Sequence, residues 1–246
     1  MQPAIILKNV SKKFIEPGAQ DLMAVKDISL EVGRGEFFVF VGPSGSGKST
    51  ILRIMSGLEK DFTGELKLED GLVPNDFSFV FQQFALFPWL TAYQNIEMPL
   101  IARNMSETER RHKVQAQLAK LRLEHVGHLH PREMSGGMRQ RVGIARALVT
   151  DPKVIFMDEP FSELDSFTAE ELRQETLSIW QAEKRTIIMV THIVSEAIEL
   201  ADRIAVLTPR PGKIEKIVHN HLTRPRQKRS PEFFALEDEL MGLIKP

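Results

Sequence analysis

The chain has 246 residues, no cysteine and a hydrophobic share of 42%, which suits one large α/β domain or a core with a subdomain and excludes a disulfide framework or thiolate metal site. Lys+Arg number 32 against Asp+Glu 33, a formal net charge of -1, so no global field draws it to nucleic acid or an anionic surface. Met1 to Val10 lacks a signal-peptide pattern and no apolar run approaches the ~18 residues that span a bilayer, so the chain is expected to be neither exported nor membrane-spanning, to suit a reducing cytoplasm, and to need another polypeptide to hold it at any membrane.

Ile5 to Val10 and Ile28 to Val32 alternate apolar and polar residues, with a loop containing Gly18 between them. Such alternation predicts half-buried strands forming an antiparallel lead-in sheet. Phe37 to Val41 is the first of several short apolar runs; Phe77 to Phe81, Val154 to Met157, Thr186 to Val190 and Ile204 to Leu207 are the others. Runs of this kind mark strands buried on both faces of a mostly parallel sheet. Helical patterns separate most of them, which predicts an α/β domain with ligands at the carboxyl ends of its strands.

Directly after Phe37 to Val41 comes Gly42-Pro43-Ser44-Gly45-Ser46-Gly47-Lys48-Ser49, and a helical pattern runs from Ser49 through Thr50 to Met55. Strand, tight loop and helix in that order make an anion site. Glycines let the backbone fold back so that successive N–H groups converge, and the helix adds its positive end. Lys48 would reach the β- and γ-phosphates of a nucleoside triphosphate, and the Ser49 hydroxyl would ligate the bridging Mg²⁺.

From Gln82 to Met134 the pattern changes. Tyr93 to Leu100 and Ser106 to Leu121 predict helices, the second opened by the capping box Ser106-Glu107-Thr108-Glu109. A helical subdomain inserted over about residues 84–150 is therefore expected. Within it, Ser135 would cap a helix over Gly136 to Val149, with Gly136 and Gly137 exposing first-turn N–H groups as a second anion site. After the run Val154 to Met157, the carboxylates Asp158 and Glu159 stand at a strand end, where Asp158 could hold Mg²⁺ and Glu159 could polarise a water for attack on the γ-phosphate. Ser166 to Glu183 and Val194 to Ala201 predict further helices, and Gly212 to Val218 a closing strand. The chain then passes through the basic segment Arg224-Pro225-Arg226-Gln227-Lys228-Arg229, expected to be a solvated linker, to a short helix from Pro231 to about Leu243. On this reading 1–222 is the main domain and 223–246 the linker and helix.

Taken in order, the motifs resemble those of ATP-binding cassette (ABC) ATPases: the loop Gly42 to Ser49, Gln82 in Val80-Phe81-Gln82, the signature Met134-Ser135-Gly136-Gly137-Met138, Asp158-Glu159, Glu163-Leu164-Asp165, and His192 after Thr191. The resemblance implies a P-loop ATPase core with an antiparallel lead-in subdomain and a helical signature subdomain. It further implies that Phe14 stacks on adenine, that Gln82 senses the γ-phosphate and Mg²⁺, and that His192 hydrogen-bonds the γ-phosphate. Ser135, Gly136, Gly137 and Asp165 would belong to the nucleotide site, the signature acting in trans on ATP bound by a second copy. Met134 and Met138 depart from the usual signature. Ile193 stands where an acidic residue is common, leaving the following helix less well capped.

Finer resemblance lies in Phe87-Pro88-Trp89-Leu90, Asp158-Glu159-Pro160-Phe161, Pro209-Arg210-Pro211-Gly212-Lys213-Ile214 and Arg224-Pro225-Arg226 with Pro231-Glu232-Phe233. These are similar to ATPase subunits of bacterial nitrate, sulfonate, taurine and bicarbonate importers. That implies ATP and Mg²⁺ as ligands, a pair of ATPases bound to membrane-spanning permease subunits at the cytoplasmic face, and a separate solute-binding protein, with no nucleic acid partner. Phe84 to Leu90 would help form the groove for a permease helix. The alternative is a cassette ATPase uncoupled from import, acting in lipid handling, translation or DNA repair; proteins of the translation and repair kind usually carry two cassettes or a long coiled-coil insert, and this sequence has neither.

Overall fold

Two antiparallel strands, β1 (Pro3–Phe14) and β2 (Leu22–Gly33), begin the chain. They run longer than the alternation predicts because the ladder is bulged. Asn9 and Asp27 take positive φ, and the backbone amides of Asn9 and Asp27 are met by the hydroxyls of Ser29 and Ser11, each at 2.8 Å. A bulge shifts the period of two, so the apolar pattern is lost where the strand continues. The computed structural model describes residues 2–15, 21–69 and 71–244; the loop around Gly18 lies outside the described residues. Two compact units result, Met1–Pro74 with Lys184–Pro246, and Asn75–Glu183.

In the first unit, β4 (Thr63–Leu68) joins the lead-in sheet, whose order is β2-β1-β4. This strand leaves no signal in the sequence because it is a largely exposed edge with no apolar run. Its Gly64 passes against the Asn9 carbonyl at the bulge, so closely that a Cβ would collide with it. The central strand β3 (Phe37–Val41) is wholly buried, lying parallel between β7 (Thr186–Thr191) and β8 (Arg203–Leu207), and β9 (Ile214–His219) closes the edge antiparallel to β8. Burial on both faces is what the unbroken run Phe-Phe-Val-Phe-Val requires. Helix α1 (Lys48–Met55) buries Ile51, Leu52, Ile54 and Met55, and α6 (Val194–Leu200) packs against β3. Among the described residues no helix is long and apolar enough to cross a membrane.

The basic segment 224–229 is not the solvated linker that its composition suggests. Arg226 donates to the carbonyls of Ile198 and Ala201, both at 2.7 Å, while Arg224 donates to the Leu200 carbonyl and pairs with Asp202, both at 2.6 Å. Cations thus satisfy the orphan carbonyls at the end of α6. Burial, helped by Arg224, pulls the Arg226 guanidinium down to about 10. Beyond it, α7 (Pro231–Leu243) seats Phe233 and Leu240 in the core of this unit and packs on α6.

The second unit pairs β5 (Phe77–Val80) parallel with β6 (Val154–Asp158) and adds four helices, α2 (Ala92–Ala102), α3 (Glu107–Lys120), α4 (Gly136–Leu148) and α5 (Ser166–Glu183). The Ser106 to Glu109 capping box opens α3 as its sequence predicts, and Thr91 with Gln94 makes another before α2.

Candidate functional site

Strand register places the first set of residues. Val41 is level with Thr191 across β3 and β7, so the loop that starts at Gly42 and the side chain of His192 leave the same sheet edge from adjacent strands. Gly47 caps α1 at φ 84, and a Cβ there would run into Val25 and stand 2.8 Å from the Ala24 carbonyl. No other residue type fits that close approach with that φ. Lys48 is buried at 4% exposure, and its ammonium donates to the carbonyls of Gly42 and Pro43, both at 3.0 Å. A cation is therefore folded into the loop that its own backbone encloses. The Ser46 hydroxyl is buried with no hydrogen-bond partner among the described residues. Such a group costs about 1–3 kcal/mol unless something else satisfies it, which is the condition of a site built for an incoming acceptor such as a phosphate oxygen.

Other parts of this first set are arranged around the loop. Gly212, between β8 and β9, exchanges backbone bonds with Ala24 and Lys26 at 2.9 Å, and a Cβ on it would overlap the Ser46 carbonyl. Phe14 ends β1 opposite Leu22, two residues before the Ala24–Val25 wall, and is 37% exposed. One face of its ring is covered by the Lys12 ammonium at 4.8 Å, which Asp61 and Glu59 hold at 3.0 and 3.3 Å. Burial lowers the Lys12 pKa, but those two carboxylates outweigh it and the net shift is upward. Ile193 makes no side-chain cap for α6, as its apolar side chain dictates. Instead, Thr191 accepts the Ile193 amide at 3.1 Å and donates to the buried Glu196 at 2.8 Å, which anchors the turn carrying His192.

In the second unit Val80 is level with Met157, so Gln82 and the pair Asp158–Glu159 emerge together at the carboxyl edge of β5 and β6. Asp158 is buried, and Glu159 holds φ 43, a strained backbone for a side chain with a Cβ. The Ser162 amide and hydroxyl both donate to the Glu159 carbonyl, at 3.3 and 3.0 Å, and fix that turn. The signature segment is built on Met134, which is buried as an apolar anchor despite its departure from the usual signature. Ser135 caps α4 by accepting the Met138 amide at 3.2 Å. The Thr168 methyl lies 2.5 Å from where a Gly137 Cβ would be, and Leu164 lies 3.5 Å from where a Gly136 Cβ would be. The segment 163–168 and the signature turn therefore form one packed feature. Asp165 caps α5, accepting the amides of Phe167 and Thr168 at 3.1 and 3.0 Å; its bonds to Thr168, then Phe167, hold the carboxyl below its usual range.

Two residues in this unit escaped the sequence analysis. Asn95 is fully buried; its amide nitrogen donates to the carbonyls of Phe87, Leu90 and Thr91, and its oxygen accepts the Phe87 amide at 2.8 Å. Arg146 donates to the carbonyls of Phe84 and Ala85, both at positive φ, at 3.0 and 2.6 Å. These bonds fix the backbone of the apolar loop after Gln82, whose Trp89 is 70% exposed. Their targets are backbone atoms, which carry no sequence signature.

The family model described as ABC transporter matches residues 25–162. The aliphatic sulfonates import ATP-binding protein SsuB of Bacillus subtilis is 38% identical over 242 residues, covering 97% of this chain and 93% of its own. The nitrate import ATP-binding protein NrtD of a Synechocystis species is 40% identical over 236 residues, covering 91% and 89%. Among solved structures, the dimeric post-hydrolysis state of the ATP-binding cassette MJ0796 bound to ADP and Pi superposes with a TM-score of 0.78 at 35% identity, covering 89% of this chain and 100% of that one.

Proposed function

Because this chain belongs to the ABC transporter family, we propose that it is the ATP-hydrolysing subunit of an importer for a small anion of the sulfonate or nitrate type. The observation that carries this is the phosphate loop: a buried Lys48 ammonium on two loop carbonyls beside a Ser46 hydroxyl with no hydrogen-bond partner among the described residues. Relatives named for sulfonate and nitrate import support the solute class. Permease subunits, a second ATPase copy and a solute-binding protein would complete the transporter, with this chain peripheral at the cytoplasmic face of the membrane. The exposed Trp89 loop is the surface we assign to the permease.

In this reading ATP lies along Gly42 to Thr50, including Pro43, Ser44 and Gly45, with its adenine on the ring of Phe14. Lys48 and the loop amides compensate the β- and γ-phosphates in a dry site, where charge is worth most. Ser49, Asp158 and Gln82 carry oxygen donors of the kind a hard cation takes, and they are assigned to Mg²⁺ by their motifs. Mg²⁺ would neutralise charge on the β- and γ-oxygens. Glu159, on its strained turn, would draw a proton from the attacking water, and His192 would donate to the γ-phosphate. Ser135, Gly136 and Gly137 of a partner copy would close on the same phosphate, beside Asp165.

Lys48→Ala should abolish hydrolysis, a loss on the order of a thousandfold or more, measured as phosphate release with MgATP. Wild-type turnover by that variant would sink the assignment.

A further inference from the structure

The turn between β8 and β9 is more tightly built than a surface connection needs. Thr208 donates its amide to the Lys213 carbonyl at 2.9 Å, and its hydroxyl accepts the Lys213 amide at 3.0 Å. On the other side Gly212 is zipped to Ala24 and Lys26 of β2. From this braced turn Arg210 reaches back to the phosphate loop, and its Nε donates to the Gly45 carbonyl at 3.2 Å. A terminal guanidinium nitrogen stands 3.1 Å from where a Gly45 Cβ would be. The guanidinium therefore lies over Gly45.

Gly45 and Gly47 are the loop's two residues at positive φ, 78 and 84. They are held differently. Gly47 is walled by Val25 and the Ala24 carbonyl, whereas the only described atoms near the Cβ position of Gly45 belong to Arg210. A glycine so lightly packed lets its flanking peptides rotate at little cost, and a carbonyl turned toward the phosphates would repel them. A carbonyl engaged by an external guanidinium cannot make that turn.

We propose that Arg210 is a positioning residue of the phosphate loop, holding the Gly45 carbonyl so that the loop keeps its anion-binding form before nucleotide arrives. It sets affinity for the phosphate tail rather than the rate of bond cleavage. This rests on the phosphate-loop reading above and adds to it a residue 165 positions away in sequence.

Arg210 is exposed, so its replacement should spare the fold. The test compares the full chain with Arg210→Ala and Arg210→Gln by calorimetric titration with MgATP and MgADP, by steady-state hydrolysis, and by melting without nucleotide. Arg210→Ala should weaken both nucleotides about tenfold and raise KM by a larger factor than it lowers kcat, the size expected for one lost hydrogen bond on a loop that must stay ordered. Arg210→Gln, an uncharged donor, should recover part of the loss. The proposal is overturned by an Arg210→Ala affinity within about twofold of wild type. It is equally overturned if Arg210→Gln binds no better than Arg210→Ala, because charge rather than the hydrogen bond would then be acting, or if melting without nucleotide falls in step with affinity. A wild-type chain that binds no MgATP would instead fail the phosphate-loop reading, and this proposal would fall with it.

Discussion

The phosphate loop and the signature turn are both glycine-rich entries to a helix, yet they are finished in opposite ways. At the phosphate loop the helix starts from a left-handed glycine, a lysine ammonium is sealed inside, and a buried hydroxyl has no hydrogen-bond partner among the described residues. At the signature turn the capping hydroxyl of Ser135 is already used by Met138, the serine is exposed, and the glycine is spent on packing against Thr168. The first has what is needed to capture an anion alone. The second has donors but no enclosed cation, so it suits an anion delivered by something else. That asymmetry is compatible with the sharing of each ATP by two copies that the family resemblance implies.

The sharpest test removes the carboxylate proposed as the base and leaves both glycine-rich turns intact. Glu159→Gln should cut hydrolysis by about 10²–10⁴-fold while ATP still binds, because only the proton acceptor is lost. The trapped nucleotide should then hold two chains together, seen by light scattering as a dimer with ATP and a monomer without it. Adding Ser135→Arg should abolish that dimer by placing bulk and charge at the helix terminus. A Glu159→Gln chain that stays monomeric at saturating ATP, alone and with its permease, would contradict the sharing of ATP.

A second pair of variants breaks the comparison glycine by glycine. Gly47→Ala puts a Cβ at positive φ against backbone, and MgATP affinity should fall on the order of a hundredfold. Gly137→Ala meets only the Thr168 methyl in a helical first turn, where alanine is the better helix former by about 1 kcal/mol. Its effect should be the smaller one, a several-fold loss of hydrolysis with ATP affinity of the single chain shifted less than about threefold. Equal losses of affinity from both would erase the distinction between a capturing and a completing site.

Legibility in the sequence follows the same division. The run Phe37 to Val41, the loop after it, and the helices Ser166 to Glu183 and Pro231 to Leu243 were readable because periodicity and glycine spacing are local. What surrounds the loop was not. Gly212 against Ser46, Val25 against Gly47 and Arg210 on Gly45 are meetings of residues far apart in sequence, and β4 leaves no pattern because its face is wet. In the second unit Asn95 and Arg146 act on carbonyls, and Asp165 presents itself as a helix cap whatever else it touches. The basic segment misled because its charge was counted without the α6 carbonyls that it caps.

The smallest effect expected is an opposite response of the two regions to acid. Glu36 opens the approach to β3, the strand that delivers the phosphate loop, and its buried carboxylate accepts the Gly33 amide at 2.6 Å and Arg203 at 3.3 Å. Burial, with Asp202 nearby, outweighs both partners and pushes its pKa up from 4.5. A raised folded pKa means that the native state binds more protons than the unfolded one. That contribution is fully present below 4.5 and is lost as pH rises through the folded value. Asp165, beside the signature turn, is shifted down from 3.8 by Thr168, so its contribution is present above 3.8 and disappears as pH falls through its folded value. Between neutrality and pH 4.5, acid should therefore favour the fold around β3 and leave the α5 cap untouched. Glu36→Gln keeps an acceptor for Gly33 but cannot take up the proton, so the melting advantage of wild type over Glu36→Gln should grow by about 1–3 °C as pH falls across that interval. Asp165→Asn, which keeps the cap, should show no such trend over the same range. An advantage that stays flat or shrinks toward acid would mean that Arg203 and Gly33 stabilise Glu36 as the anion, and that the strand beneath the phosphate loop is held by charge rather than in spite of it.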